Sequence, residues 1–150
     1  MSISIRPIIE SDFFAWLELY DGYATFYETK LTDEKALLLW SWLVDADHEE
    51  TGFVAVDDDN DGALVGLAHV REFSRPLETD RGLYLDDLFV AESGRRQGTG
   101  RALMKAVRDL AEERKLGVVQ WITAADNEAA QNLYDEVAAR TPWVTYEITL

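Results

Sequence analysis

The chain of 150 residues contains no cysteine, which excludes disulfide bonds and thiolate metal sites. It also lacks any apolar run of about 18 residues, the length that a membrane-spanning helix needs. The first six residues, Met1 to Arg6, alternate like a strand and do not resemble an apolar leader. We therefore expect a cytoplasmic protein that does not bind membranes.

Basic side chains are scarce. The chain has 14 Lys and Arg against 29 Asp and Glu, a net charge of −15 at pH 7. Such a surface repels phosphate backbones, so we expect no nucleic-acid partner, whereas a small amine or a basic peptide would be attracted. A solubility requirement or an acidic proteome explains the charge as well, and both interpretations stay open. The length and the apolar content of 47% predict one globular domain, residues 1–150.

Residues 82–101 are the most informative segment. A strand with the sequence Leu88-Phe89-Val90 at its end runs into a loop that is rich in arginine and glycine, and an amphipathic helix pattern begins at once. Glycines let backbone N–H groups turn toward one point, and the first turn of a helix adds unpaired N–H donors. The segment therefore predicts a site for a phosphate-bearing ligand. It matches neither the Walker pattern nor the dinucleotide-binding Gly-x-Gly-x-x-Gly.

The loop Arg95-Arg96-Gln97-Gly98-Thr99-Gly100 resembles the Gln/Arg-x-x-Gly-x-Gly/Ala signature of the GNAT superfamily of acyl-CoA-dependent N-acetyltransferases. Residues 127–134, from Asn127 to Tyr134, resemble the Asn-x-x-Ala-x-x-x-Tyr helix of the same family. Residues 84–90 are similar to a strand of the spermidine/spermine and small histone/polyamine acetyltransferases. The resemblance is strongest over residues 82–134. It implies an α/β GNAT fold, with a mixed, mostly antiparallel central sheet, splayed central strands and helices on both faces.

The resemblance also implies acetyl-CoA as the co-substrate. The residues that it assigns to cofactor binding lie on the strand end, the loop and the last helix: Leu88, Phe89, Val90, Arg95, Arg96, Gln97, Gly98, Thr99, Gly100, Arg101, Asn127, Ala130 and Tyr134. No metal is expected, because His48 and His69 have no His or Cys partner at ligand spacing.

Two adjacent carboxylates, Asp86 and Asp87, interrupt the apolar strand. Because side chains alternate across a strand, we expect them on opposite faces, with only one of the two entering a site. Buried acidic groups are unfavourable unless paired or functional, so a salt bridge explains either one as well as catalysis does. The match to the polyamine acetyltransferases assigns the contact with the substrate amine to Asp86. The alternation groups Asp86 with Tyr84, Leu88 and Val90, and Asp87 with Leu83, Leu85 and Phe89.

The chemistry of acetyl transfer explains why a carboxylate and a phenol would be wanted. A primary alkylamine with a pKa of about 10.4 is protonated at pH 7, and freeing its lone pair costs about 4 to 5 kcal/mol. A carboxylate removes that proton as the amine attacks the thioester. A backbone N–H near residues 88–90 is expected to stabilise the oxyanion, and Tyr134, by its match, the leaving thiolate.

The resemblance places a substrate-binding loop between the first two helices, where Tyr27 and Glu28 stand in a group of aromatic and acidic residues. The group could line an amine pocket by cation–π contacts, and packing explains it equally. We therefore expect acetyl transfer to a small cationic or polyamine-like amine, the alternatives being a protein lysine or N-terminus, or a non-catalytic acyl-CoA-binding domain. The predicted substrate-binding residues are Tyr27, Glu28, Asp86 and Asp87. The predicted catalytic residues are Asp86 and Tyr134.

Hydrophobic periodicity predicts the order β-α-α-β-β-β-α-β-α-β. The residues after the last helix, from Ala138 to Trp143, depart from the Gly-Phe that is common in the family. This leaves open whether the C-terminal strand pairs within the chain or across a homodimer, the assembly that we expect. The predicted strands cover residues 3–7, 52–56, 63–70, the segment that ends at Val90, 118–123 and 143–150. The predicted helices begin after Ser11 or Asp12, after Thr32, after the glycine-rich loop, and at Asp126 or Asn127.

Overall fold

A five-stranded sheet is the centre of the protein, of which a computed structural model describes residues 2–150. The strands lie in the sheet in chain order. Their bounds are β1 (Ile3–Pro7), β2 (Glu50–Asp57), β3 (Ala63–Arg75), β4 (Asp80–Val90) and β5 (Val119–Gln120). The helices are α1 (Phe13–Phe26), α2 (Asp33–Leu43), α3 (Thr99–Glu113) and α4 (Glu128–Val137).

The first four strands pair antiparallel, and β5 joins β4 in parallel. This last ladder has only two residue pairs, Leu83 with Val119 and Tyr84 with Gln120. Beyond Tyr84, β4 continues to Val90 with no strand on that side in the part of the chain that the structure describes. Strand β5 therefore borders only the first part of β4, and the predicted mixed, mostly antiparallel α/β sheet is confirmed.

The core has two parts, one on each face of the sheet. On one face, Trp16 of α1 and Leu43 of α2 pack with Leu67 of β3. On the other face, Leu103 and Val107 of α3 pack with side chains of β3 and β4. The amphipathic period of α3 places its apolar stripe against the sheet, and the sheet is thus covered by helices on both faces, as predicted.

Local sequence signals set the helix starts. The side chain of Thr32 accepts a hydrogen bond from Lys35 N at 3.2 Å, as its position before the second helix predicts. Asn127 caps α4 in the same way through Ala130 N. Among residues 2–150, none of the helices combines the length and the apolar character that crossing a bilayer requires.

The C-terminal segment differs from the prediction. Residues 143–150 form no strand, and Trp143, Tyr146 and Ile148 have exposed side chains, that of Tyr146 to 92%. A strand forms only where a neighbouring strand takes up its N–H and C=O groups, and the part of the chain that the structure describes supplies none to this segment. The strand predicted over 118–123 is likewise shorter than expected, at Val119–Gln120.

Candidate active site

The pairing of β3 with β4 changes register at the two adjacent aspartates. His69 lies opposite Asp87, but Val70 lies opposite Leu85, so Asp86 is an extra residue in β4. Such a bulge breaks the alternation of side chains. Both Leu85 before it and Leu88 after it consequently pack on the α3 side.

Because of this bulge, Asp86 and Asp87 line the same cavity. The prediction that alternation separates them, with only one entering a site, is therefore wrong. The prediction assumed an unbroken alternation, whereas the spacing of the apolar residues changes by one position between Leu85 and Leu88, where the bulge lies. The groupings of Asp86 with Leu88 and Val90, and of Asp87 with Leu83 and Leu85, fail for the same reason.

This cavity, which we call the aromatic cavity, has a volume of about 530 Å³, within the range of small-molecule sites. Helices α1 and α2 form its walls, and β2 and β4 supply its carboxyl groups. Tyr27 lines it as predicted, whereas Glu28, an exposed residue with a φ of 54°, does not. The side chains that matter below are Tyr20, Tyr23, Tyr27, Lys30, Lys35, Glu50, Asp86 and Asp87.

Asp87 is held by hydrogen-bond donors from two elements. Its Oδ2 atom accepts from the Tyr20 hydroxyl at 3.0 Å and lies 2.8 Å from His69 Nδ1. Trp16 Nε1 donates to His69 Nε2 at 3.0 Å, so Nε2 carries no proton and Nδ1 is the donor to Asp87. His69 is thus a neutral residue, 1% exposed, that orients this carboxylate.

The same contacts set the ionisation of the group around Asp87. Burial alone would raise the pKa of Asp87, but His69 and the hydroxyls of Tyr23 and Tyr20 outweigh burial and hold the pKa below its ordinary value. Burial, followed by the charge of Asp87, raises the pKa of both tyrosines. Asp87 therefore stays a carboxylate at neutral pH, and Tyr20 and Tyr23 stay neutral donors.

Asp86 has a different environment. Arg71 Nε lies 3.2 and 3.1 Å from its two oxygens, and the guanidinium stacks over the Tyr84 ring at 4.7 Å. The Asp86 side chain is 27% exposed, against 18% for that of Asp87. Asp86 is thus the more accessible of the two carboxylates, and its salt bridge is the structural role that the sequence left open.

A third carboxyl group, Glu50, completes the acidic side of the cavity. It lies opposite Arg71 in the β2–β3 ladder and is 9% exposed. Burial, followed by a hydrogen bond to Asp86, raises the pKa of Glu50 to about 9. Within the described residues, its Oε2 atom is buried without a hydrogen-bond partner. Glu50 is therefore protonated at neutral pH.

The glycine-rich loop lies beyond the end of β4. Gly98 caps α3 with a φ of 75°, a conformation that favours glycine, and a Cβ atom built there meets nothing within 4 Å. The first N–H groups of α3 have no intrahelical partners, so they are available to a ligand at this end of the helix. The Thr99 hydroxyl is buried and donates to Gly94 O at 2.7 Å, which leaves only its backbone for a ligand.

The other predicted cofactor residues surround this opening. Arg95 Nε donates to Val90 O at 3.2 Å, Arg101 pairs with Glu136 of α4, and Arg96 and Gln97 are exposed in the turn. Leu88, Phe89 and Val90 continue β4 where it has no neighbour on the β5 side. Alternate N–H and C=O groups of this stretch point away from β3 and are open to a ligand.

Helix α4 borders the loop. A Cβ atom at Gly100 would lie 3.3 Å from Leu133 Cδ2, so the start of α3 and the middle of α4 are in close contact. Tyr134 packs edge-on against Trp121 at 5.2 Å, and burial, with a smaller effect of Tyr27, raises its pKa. Its neighbour Tyr27 lines the aromatic cavity, so Tyr134 lies between that cavity and the loop.

The family model described as the acetyltransferase (GNAT) family matches residues 15–138. The chain belongs to the GNAT acetyltransferase family. The D-amino-acid N-acetyltransferase HPA3 of Saccharomyces cerevisiae is 31% identical over 145 residues, which cover 97% of this chain and 89% of the relative. The L-ornithine N5-acetyltransferase NATA1 of Arabidopsis thaliana is 37% identical over 60 residues, 40% of this chain and 26% of the relative.

Solved structures agree on the fold. The structure of AAC(6')-Iy in complex with a bisubstrate analogue, CoA-S-monomethyl-acetylneamine, superposes with a TM-score of 0.85 at 18% identity, over 100% of this chain and 99% of that one. As a GNAT acyltransferase, the protein uses acetyl-CoA. The open edge of β4 and the free space over Gly98 fit an extended cofactor with a pyrophosphate group. The expected polyamine branch has no such support from these relatives.

Three residues of the site escaped the sequence analysis: Glu50, His69 and Arg71. His69 and Arg71 stand two apart on one strand, so they share a face, and the neighbouring strand carries the two aspartates. Two basic residues on one strand and two acidic residues on the next predict a cluster of charged side chains, and this pattern was visible in the sequence. Glu50 offered none, because only the β2–β3 register brings it opposite Arg71. Among residues 2–150, no group of three His, Cys, Asp or Glu side chains is arranged to hold a metal ion.

Proposed function

We propose that this protein transfers the acetyl group of acetyl-CoA to a primary amine of a small cationic or polyamine-like acceptor that binds in the aromatic cavity. The observation that best supports this proposal is the bulge in β4, which turns Asp86 and Asp87 toward one cavity lined by tyrosines. Carboxylates and aromatic rings together favour an ammonium group through charge and cation–π attraction. Acetyl-CoA supplies the thioester that the amine attacks.

Each residue has a separate task in this proposal. Asp86, the more accessible carboxylate, receives the proton that the ammonium must lose before the nitrogen attacks. Asp87 keeps its charge and holds Tyr20 in place for the acceptor. Backbone N–H groups of residues 88–90 stabilise the developing oxyanion, and the Tyr134 hydroxyl donates to the departing sulfur. Residues 95–101 and the start of α4 bind the cofactor.

A thiol-release assay tests this function. Acetyl-CoA is offered with spermidine, 1,3-diaminopropane, D-lysine, D-alanine and a lysine-containing peptide, and the release of CoA is followed with a thiol reagent. We expect the small amines to be acetylated and Asp86→Asn to lose this activity. Absence of release with every acceptor, in a folded protein that binds acetyl-CoA by calorimetry, would favour a non-catalytic acyl-CoA-binding domain.

A second candidate acceptor is an amino acid. Lys30 and Lys35 line the aromatic cavity together with its carboxyl groups, so the cavity offers charges of both signs. An amino acid carries an ammonium and a carboxylate that match them, and the two curated relatives are named for amino-acid acceptors. Faster turnover of D-lysine than of 1,3-diaminopropane, reversed in Lys35→Gln, would favour this candidate. Preference for the peptide would instead favour a protein acetyltransferase.

We propose that the protein is a homodimer in the cytoplasm and that each chain forms a single domain. Residues 143–150 have the alternation of a strand and several exposed apolar side chains, including Trp143 and Ile148. A second copy could pair with this segment and bury those side chains. Sedimentation of the full chain tests the dimer, and Ile148→Asp should shift it toward the monomer.

A further inference from the structure

Glu50 stands between two cavities. It lines the aromatic cavity, and it also lines a second cavity of about 530 Å³ beside the start of β2, which we call the outer cavity. The outer cavity is bordered by Ile8, Leu43, His48, Glu49, Glu72 and Arg114. A buried carboxyl group in this position connects the acceptor site with a separate opening to solvent.

The contacts of Glu50 are those of a group that exchanges a proton. Glu50 and Asp86 line the same cavity, Glu50 lies opposite Arg71, and Arg71 Nε binds Asp86. The hydrogen bond between the two carboxyl groups that helps raise the pKa of Glu50 requires a proton on one of them. The Glu50 Oε2 atom is buried and accepts no hydrogen bond from a donor among residues 2–150. Unsatisfied buried polar atoms are rare, and a functional role is a common reason for them.

We propose that Glu50 and Asp86 act as one acid–base pair, which holds a single proton between the two groups and lets Glu50 release the proton of the acceptor amine toward the outer cavity. The inference rests on the proposed function, because it needs an amine at Asp86. Asp86 is the group that contacts the amine, and Glu50 acts through it.

Charge balance favours one shared proton. Arg71 is the cation that contacts Asp86, and Asp87 is a second nearby carboxylate, so full ionisation of Glu50 would leave three negative charges against one positive. With one proton on the pair, the cluster carries one net negative charge, which a monocationic amine neutralises. Titratable and charged groups border Glu50 from both cavities and from β3. Those of the aromatic cavity are Tyr20, Tyr23, Tyr27, Lys30, Lys35, Asp86 and Asp87, and Arg71 of β3 lies beside them. Those of the outer cavity are Glu10, Asp45, His48, Glu49, Glu72 and Arg114.

Acetyl transfer to an ammonium group releases one proton, so the site needs a route by which that proton reaches water. The bound ammonium gives one proton to Asp86, its lone pair forms the N–C bond, and the C–S bond of the thioester breaks with its electrons on sulfur. The nitrogen loses a second proton, which ends on the sulfur as the thiol. The carboxyl pair, which held one proton at rest, is therefore left with two, and the excess proton leaves to water from Glu50 on the side of the outer cavity, which restores the resting pair.

Carboxyl carbon NMR of the free protein tests the pair without any acceptor. We expect the Glu50 carboxyl carbon to titrate above pH 7, with the Asp86 carboxyl carbon shifting in the same step. In Glu50→Gln that step should vanish from Asp86, because the amide still donates to Asp86 but cannot release a proton. Glu49→Gln, an exposed neighbour on the outer cavity, should leave it unchanged. A Glu50 carbon that titrates only near its ordinary pKa of about 4.3, with no change at Asp86, would overturn the inference.

Turnover supplies the second readout, with the fastest amine of the panel as the probe. Glu50→Gln should lower kcat at least tenfold at pH 7 with the KM for the amine within twofold, and should remove one ionisation from the kcat profile. Glu50→Asp should restore that ionisation, which a purely structural role would not do. Equal kcat profiles for Glu50→Gln and Glu49→Gln would refute the relay. An inactive wild-type protein would instead refute the proposed function, while the NMR titration still decides whether the proton is shared.

Discussion

The glycine-rich loop, which we propose binds the cofactor, and the aromatic cavity, which we propose binds the acceptor, are built in opposite ways. Residues 95–101 form one continuous stretch, and in the proposed function they act mostly through backbone N–H groups beside Gly98, whose φ is 75°. The aromatic cavity collects side chains from α1, α2, β2 and β4, up to 67 residues apart in the Tyr20–Asp87 hydrogen bond. A local backbone site tolerates change in its side chains, whereas a dispersed side-chain site depends on each one. The predictions below test this contrast.

The largest effect is expected in the aromatic cavity, at Asp86. Asp86→Asn keeps the shape of the side chain but removes its basicity, so kcat/KM for the amine should fall about 100-fold or more. Affinity for acetyl-CoA should stay within twofold, because the loop is unchanged. The loss should shrink as the pH approaches the pKa of the amine, where free amine no longer needs a base. An equal loss at every pH would show that Asp86 binds the acceptor without taking its proton.

The next effect belongs to the loop, and it isolates charge from conformation. Asn and Asp both tolerate the left-handed backbone of Gly98, and both would point into open space. Gly98→Asp should weaken acetyl-CoA binding about 30-fold relative to Gly98→Asn, because about 2 kcal/mol is a reasonable repulsion between neighbouring negative charges near a surface. Calorimetric titration of both variants measures the difference.

Side-chain changes in the same loop should matter less. Arg95→Ala removes a donor that is already engaged with Val90 O, so its effect should be smaller than that of Gly98→Asp. A larger loss in Arg95→Ala would mean that the loop binds through side-chain charge, and the contrast between the two regions would fail.

The same contrast explains which features of the structure could be predicted from the sequence and which could not. The helix starts at Thr32 and Asn127, the loop at Gly98 and the element order through α4 were predictable, because each depends on residues close together in the chain. The common orientation of Asp86 and Asp87 was not, since it depends on how β4 pairs with β3. Glu50 became part of the site only through the β2–β3 register. The C-terminal strand was predicted from alternation alone, which does not provide a partner strand.

A further prediction concerns stability at Asp87. Asp87→Asn should lower the free energy of unfolding by about 1 to 3 kcal/mol at pH 7, because His69 and Tyr20 both donate to the charged Oδ2 atom of the carboxylate and a neutral amide oxygen accepts both hydrogen bonds more weakly. The folded-state pKa of Asp87 lies below its unfolded value, so its contribution is present above about pH 4 and is lost as the pH falls through the folded value. Denaturant unfolding should therefore show wild type and variant converging in acid. A constant difference down to pH 2 would assign the effect to packing.

The smallest effect is expected at Tyr134, which lies between the two regions. Proton transfer from an ordinary phenol to a thiolate is uphill by about 2 kcal/mol, and burial raises the pKa of Tyr134 further. The hydroxyl is therefore expected to stabilise the departing sulfur by a hydrogen bond without giving up its proton.

Tyr134→Phe should then slow the acetyl-transfer step by no more than about tenfold, the value of one ordinary hydrogen bond. Its hydroxyl has no hydrogen-bond partner in the described residues, and the ring contact with Trp121 survives in Phe, so thermal unfolding and acetyl-CoA affinity should not change. Rapid-quench measurement of a single turnover checks the step, with the exposed Tyr146→Phe as the matched control. If Tyr134→Phe reacts at the rate of Tyr146→Phe, Tyr134 is a packing residue of α4, and the leaving group depends on the loop and solvent alone.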